Sequence, residues 1–159
     1  MIPEALQNCL IKELNEHFSS VEYKNLYGKD SQINIFAQDL PTKKYEEDKD
    51  VKFPFIVVEL QSGEVSSEQE QHACKVNFII GATEIDEKEN GYSTVFSIIN
   101  KIYYLLLTKR VFDKQYTLEF PISWEVVQDE TGPFYYGSLE TNWSLPRLTQ
   151  TNKEISAWL

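Results

Sequence analysis

The sequence predicts an α+β fold in which a mostly antiparallel sheet has two helices packed on one face. The first observation is a helical pattern in residues 90–112, where apolar residues recur in steps of three and four. These residues are Tyr92, Val95, Phe96, Ile99, Ile102, Tyr103 and Leu106. The second is a period-two alternation of apolar and polar residues in two later stretches, as in strands. Because one wide apolar helix face needs a covering layer, these strands are expected to form the sheet beneath it.

Two helices follow from the local sequence. Pro3 suits the first turn of a helix that continues to about Phe18, and an apolar stripe including Leu6, Leu10 and Leu14 runs along it. Asn90 is the expected N-cap of the second helix. Lys109 and Arg110 follow at its other end, where the helix dipole favours positive charge. Both helices are therefore predicted to be amphipathic and packed on the domain.

Before the second helix, β-branched and aromatic runs predict strands at residues 21–27, 33–37, 53–60 and 74–82. Residues 28–30 are read as a turn, and Ser62 to Ala73 as the long loop of a hairpin. Thr42 to Lys52 is nearly all charged, and cannot bury enough apolar surface to order alone. It is interpreted either as a solvated loop or as a loop that orders only against a neighbouring subunit.

The last hairpin is the clearest strand signal. Leu118, Phe120, Ile122, Trp124 and Val126 alternate with polar residues, and the stretch from Tyr135 to Trp143 alternates in the same way. Gly132 and Pro133 mark the turn between the two strands, and Pro146 ends the second. We expect Phe120, Ile122 and Trp124 to face the helical stripe formed by Ile99, Ile102 and Leu106.

Composition restricts the class of partner. The 159 residues fit one domain, predicted over residues 1–146, with a C-terminal tail at 147–159. The net charge of −10 repels phosphate backbones and anionic membranes, which argues against nucleic acid as the main ligand. Cys9 and Cys74 lack metal or disulfide spacing and are predicted to be reduced core thiols. With no secretory signal evident, the protein is expected to be made and kept in a reducing cytoplasm.

The sequence contains no pattern typical of catalysis. The only histidines, His17 and His72, have no neighbouring nucleophile pattern, and the six glycines form no phosphate-binding run. His17 is expected late in the first helix and His72 in a charged loop. Glu59, Glu125 and Glu140 are read as solvent-facing strand residues. The expectation is a protein without catalytic residues, metal or cofactor.

Aromatic residues are abundant near the end of the chain. Phe134, Tyr135 and Tyr136 are consecutive, so at least one of these rings points away from the main core. Such rings are enriched at protein interfaces. The alternative is a second small core or a cross-strand aromatic pair.

Five stretches, in order, resemble one protein family. They are Ile33-Asn34-Ile35-Phe36-Ala37-Gln38-Asp39-Leu40-Pro41, Phe53-Pro54-Phe55-Ile56-Val57-Val58, Gly91-Tyr92, Pro121-Ile122-Ser123-Trp124-Glu125, and Phe134-Tyr135-Tyr136-Gly137-Ser138-Leu139-Glu140-Thr141-Asn142-Trp143. Together they resemble the tail-terminator, or tail-to-head joining, proteins of long-tailed bacteriophages and prophages. The resemblance implies an α/β sandwich-like subunit, a six-membered ring, and a place in the virion where the tail tube meets the neck of the head.

The resemblance also implies partners. They are further copies of the chain, the tail tube protein and the head-completion or connector protein, with DNA passing through the lumen unbound. The candidate interface residues are Tyr135, Tyr136, Trp143, Tyr45, Glu64 and Glu68. The alternatives are a non-virion binding adaptor and another phage neck or head-completion protein of the same fold, with an enzyme that uses the acidic residues ranked last.

Overall fold

The structure, a computed structural model, describes residues 2–25, 27–41, 52–84, 91–127 and 133–147. Among these described residues, two helices, α1 (Ile2–His17) and α2 (Gly91–Lys109), occur with eight strands. The strands are β1 (Glu22–Lys24), β2 (Asp30–Gln32), β3 (Asn34–Ala37), β4 (Phe55–Glu64), β5 (His72–Thr83), β6 (Val111–Phe112), β7 (Tyr116–Val127) and β8 (Phe134–Leu145).

Six of the strands form one sheet in the order β3-β4-β5-β8-β7-β6. Only β3 and β4 pair in parallel, while every other neighbouring pair is antiparallel. β1 and β2 form a separate two-stranded ribbon. The prediction of an α+β fold with a mostly antiparallel sheet is confirmed.

Both helices pack on one face of this sheet, as predicted. Leu6, Leu10 and Leu14 of α1 belong to the same buried cluster as Ile102 of α2. The strands beneath contribute Ile56, Val58, Val76, Phe78, Ile80 and Leu139 to that cluster. An ion pair between Glu13 and Lys109 joins the helices at the surface. Neither helix, among the residues described, is long and apolar enough to cross a membrane.

Two of the predicted connections between strands are shorter in the structure. The predicted loop from Ser62 to Ala73 is shorter, because β4 continues to Glu64 and β5 begins at His72. The predicted turn ends in β2, since Asp30 pairs with Lys24. The predicted N-cap Asn90 and residues 42–51 of the charged loop lie outside the described residues.

The prediction that Phe120 faces the helical stripe is wrong. Glu119 pairs with Asn142 and Ser123 with Glu140, so four steps along β7 match two along β8. The two extra residues form a bulge, and Phe120 lies at its start, 61% exposed and outside the main core cluster. Trp124 keeps its expected side of the sheet, opposite Leu139, but it lies at the margin of the area that α2 covers, against Phe96, and is 51% exposed.

A second, smaller apolar cluster covers one end of the opposite sheet face. Phe53, Phe55 and Val57 are buried there, and Phe134 and Tyr136 pack against them. The ring of Phe53 lies 5.0 Å from that of Phe134 and 6.1 Å from that of Tyr136, measured between centroids. Most of the aromatic row therefore belongs to the second small core that was the alternative interpretation.

Candidate interaction surface

The outer side of β7 is open over most of its length. β6 pairs only with Tyr116 and Thr117, and the amide of Leu118 donates to the carbonyl of Arg110. From Glu119 onward, no strand of the described chain pairs with this side of β7. A sheet edge of this length exposes backbone donors and acceptors to any strand that fits.

Three aromatic side chains surround this open edge, and we call them the edge patch: Phe96, Phe120 and Trp124. The rings of Phe96 and Trp124 meet edge to face, with centroids 5.6 Å apart. The guanidinium carbon of Arg110 lies 4.7 Å from the centroid of Phe120, a cation–π contact. Their exposed fractions are 39%, 61% and 51%, in the order Phe96, Phe120, Trp124. Exposed aromatic groups along an unpaired sheet edge are typical of interaction surfaces.

The sheet face opposite the helices is acidic outside its small apolar cluster. The strand register places five carboxylates on it, from Glu59, Glu64, Glu119, Glu125 and Glu140. A groove of about 500 Å³ opens on this face between the ends of β4, β5, β7 and β8, lined by Glu64, Lys75, Glu119 and Asn142 among others. This surface is suited to water or to a polar partner rather than to an apolar one.

Two of the predicted interface residues are partly occupied within their own subunit. The ring of Tyr135 packs edge to face on Tyr92 of α2, with centroids 4.9 Å apart. Tyr136 packs on Phe53 in the smaller cluster. Both rings are half-buried, so replacing them would remove intramolecular contacts as well as any contact with a partner.

The remaining predicted interface residues differ in location. Trp143 is only 1% exposed, and its Nε1 donates to Thr141 Oγ1 at 2.8 Å, so it is a core residue with no surface to offer a partner. Glu64 and Glu68 are exposed at the far end of the β4–β5 hairpin, where a partner can reach them. Tyr45 lies outside the described residues. The structure thus does not gather the predicted set into one surface.

No family model and no curated protein matches this chain. The bacteriophage resemblance thus stays a resemblance, based on short stretches that the fold places in strands and at the start of α2.

The two histidines lie in different elements of the fold. His17 Nε2 donates to the carbonyl of Lys101 at 3.1 Å, beside an open groove of about 590 Å³ between α1 and α2. Ser97 Oγ in that groove forms hydrogen bonds with Tyr23 Oη and with Lys101 Nζ. His72 is the first residue of β5 and not part of a loop, which corrects the sequence interpretation. No group of three metal-ligating side chains occurs in the described part of the chain.

Both thiols are free, as predicted. Burial raises the pKa of Cys74, and burial together with the carboxylate of Glu13 raises the pKa of Cys9. Since the thiolate is the nucleophile, we expect iodoacetamide at pH 8 to alkylate Cys74 several-fold more slowly in the folded protein than in urea. Mass spectrometry of quenched samples measures the rates. Equal rates in the two states would contradict a buried Cys74.

Sequence reasoning missed the edge patch because it assigned Phe120 and Trp124 to the core. One available signal was Pro121, since a proline within a strand pattern favours an edge strand. A strand at the edge is only partly covered by a helix, so its apolar residues remain exposed.

Proposed function

We propose that this chain is a structural bacteriophage protein whose copies form a hexameric ring. The ring caps the tail tube, stops its elongation and joins the tail to the head connector. The observation that supports assembly is the open edge of β7 with its exposed aromatic patch. The ordered resemblance to tail-terminator proteins supports the place of that assembly in the virion.

The location of the resembling stretches favours this proposal. Four of the five lie in or beside β3, β4, β7 and β8, and the fifth opens α2. They therefore lie in one sheet and in the helix that covers it. They include β3, at one end of the strand order, and β7, which at the other end is followed only by the short β6. A ring requires two unlike surfaces on each subunit, since its contacts are heterologous. The two ends of one sheet are such a pair.

The charge distribution fits a ring through which DNA passes. The helices cover one face of the sheet, and the other face presents its five carboxylates. If this face lines the lumen, its negative charge repels the phosphate backbone and prevents DNA from adhering.

A double variant of the edge patch tests the proposal. We expect Phe120→Ser with Trp124→Ser to abolish the ring while leaving the subunit folded, because both rings are more than half exposed and a few aromatic residues dominate most interfaces. Light scattering after size exclusion measures the assembly, and circular dichroism measures the fold. Tyr104→Ser is the matched control, since Tyr104 is 68% exposed and lines the groove beside α1.

Infection complemented with the same variants tests the function in the virion. The double variant is expected to give tails that are unjoined to heads or irregular in length, and the control variant normal virions. Normal tails joined to heads after deletion of the whole gene would contradict the terminator function. A wild-type chain that stays monomeric at high concentration and does not bind tube protein would favour a non-virion adaptor.

A further inference from the structure

The directions of β3 and β7, near the two ends of the main sheet, allow these strands to pair between copies. β3 and β4 run in parallel, and β5, β8 and β7 then alternate, so β7 is antiparallel to β3. When subunits repeat side by side with the same face inward, β7 of one copy lies antiparallel to β3 of the next. Antiparallel pairing is the more stable of the two ladder types.

Only a short part of the open edge suits backbone pairing. The bulge at residues 120–122, together with Pro121, interrupts the ladder on one side. At the other end the hydroxyl of Tyr92 donates to the carbonyl of Val127 at 2.8 Å. Residues 123–126 remain between these limits. The strand that fits them is therefore short, and β3 has four residues.

From these features we infer that residues 124–126 of one copy pair with residues 35–37 of β3 in a second copy, which makes the sheet continuous around the ring. Directly opposite residues share a sheet face. Among the registers that respect this, the one that places Trp124 opposite Ala37 and Val126 opposite Ile35 gives the best steric fit. The exposed Ala37 leaves room for the large indole, and Val126 and Ile35 already pack against the core of their own subunits.

Charge disfavours the alternative in which two copies of β7 pair with each other. That symmetric contact would bring Glu119 and Glu125 of both copies together on one face, with no cation on this strand to offset them. β3 has no charged residue, so the heterologous contact sets Glu125 opposite Phe36. The neighbour's α1, which packs on its own β3 and β4, would also extend over the edge patch.

This inference rests on the proposed ring, and cysteine crosslinking tests it separately. In a background with Cys9→Ser and Cys74→Ala, checked for folding by circular dichroism, Ala37→Cys and Val126→Cys are made singly and together. Their side chains are diagonal neighbours in the inferred register, about 7–8 Å apart, within reach of a short thiol crosslinker. We expect a ladder of up to six chains from the double variant, dimers from an equal mixture of the single variants, and no product from either single variant alone. Tyr104→Cys combined with Ala37→Cys is the control and should give no product.

Each other outcome overturns the inference in a recognisable way. Crosslinking of Val126→Cys alone would show that β7 pairs with itself. A hexamer by light scattering without any crosslinked product would exclude this strand pairing while leaving the ring intact. A monomer without crosslinks would overturn both the pairing and the ring.

Discussion

Replacing Trp143 with alanine is expected to lower the free energy of unfolding by about 3–5 kcal/mol. Trp143 is among the largest fully buried side chains and packs edge to face on Phe112, with ring centroids 5.4 Å apart. Its Nε1 donates to Thr141 Oγ1, which in turn donates to the carbonyl of Val76 at 2.7 Å. Alanine leaves a cavity and removes the first of these hydrogen bonds. Urea denaturation followed by circular dichroism measures the change.

Trp124→Ala is the control for this measurement. It makes the same chemical change on the neighbouring strand, at a residue that is 51% exposed and contacts the equally peripheral Phe96. We expect a loss below about 1 kcal/mol. If Trp124→Ala costs as much as Trp143→Ala, the contrast between a core tryptophan and an edge tryptophan is contradicted.

The elements that the sequence predicted well are those with strong periodicity. Ile99, Ile102 and Leu106 in the apolar stripe of α2 are buried as expected. In a helix of this length, only one orientation about the helix axis buries the whole stripe. The last strand also ends before Pro146 as expected, but the burial of Trp143 contradicts its prediction as an interface residue. The local sequence pattern was sufficient to predict the buried stripe and the end of the strand, and no knowledge of the strand pairing was required.

Features that depend on pairing between distant segments were not predictable in the same way. The parallel contact of β3 with β4 joins residues about twenty positions apart, and no local pattern marks it. The bulge in β7 has the same origin, because the sequence of that strand alone continues its alternation through Phe120. Register is decided between strands, and one irregularity is enough to expose a residue that the pattern assigns to the core.

The candidate interface illustrates the same limit. The sequence shows that aromatic residues are in excess near the end of the chain, but it does not show which of them the subunit covers itself. Phe53, which lies just before β4 and some eighty residues earlier in the chain, packs on Phe134 and Tyr136, whereas nothing in the described chain covers Phe120 fully. For that reason, the exposed aromatic surface lies at the edge strand β7 and not on β8, where the sequence predicted it.

Replacing Ile102 with alanine is expected to cost about 2–5 kcal/mol of unfolding free energy, as for other fully buried aliphatic residues cut to a methyl group. Ile102 is completely buried in the main core at the centre of α2 and belongs to the cluster that joins α1, α2 and the sheet. Tyr104→Ala on the same helix is the control. Its ring is 68% exposed, so a loss within about 0.5 kcal/mol is expected. Urea denaturation of both variants separates a buried helix face from an exposed one. A loss of less than about 0.5 kcal/mol for Ile102→Ala would place this face of α2 at the surface and contradict the packing of both helices on one side of the sheet.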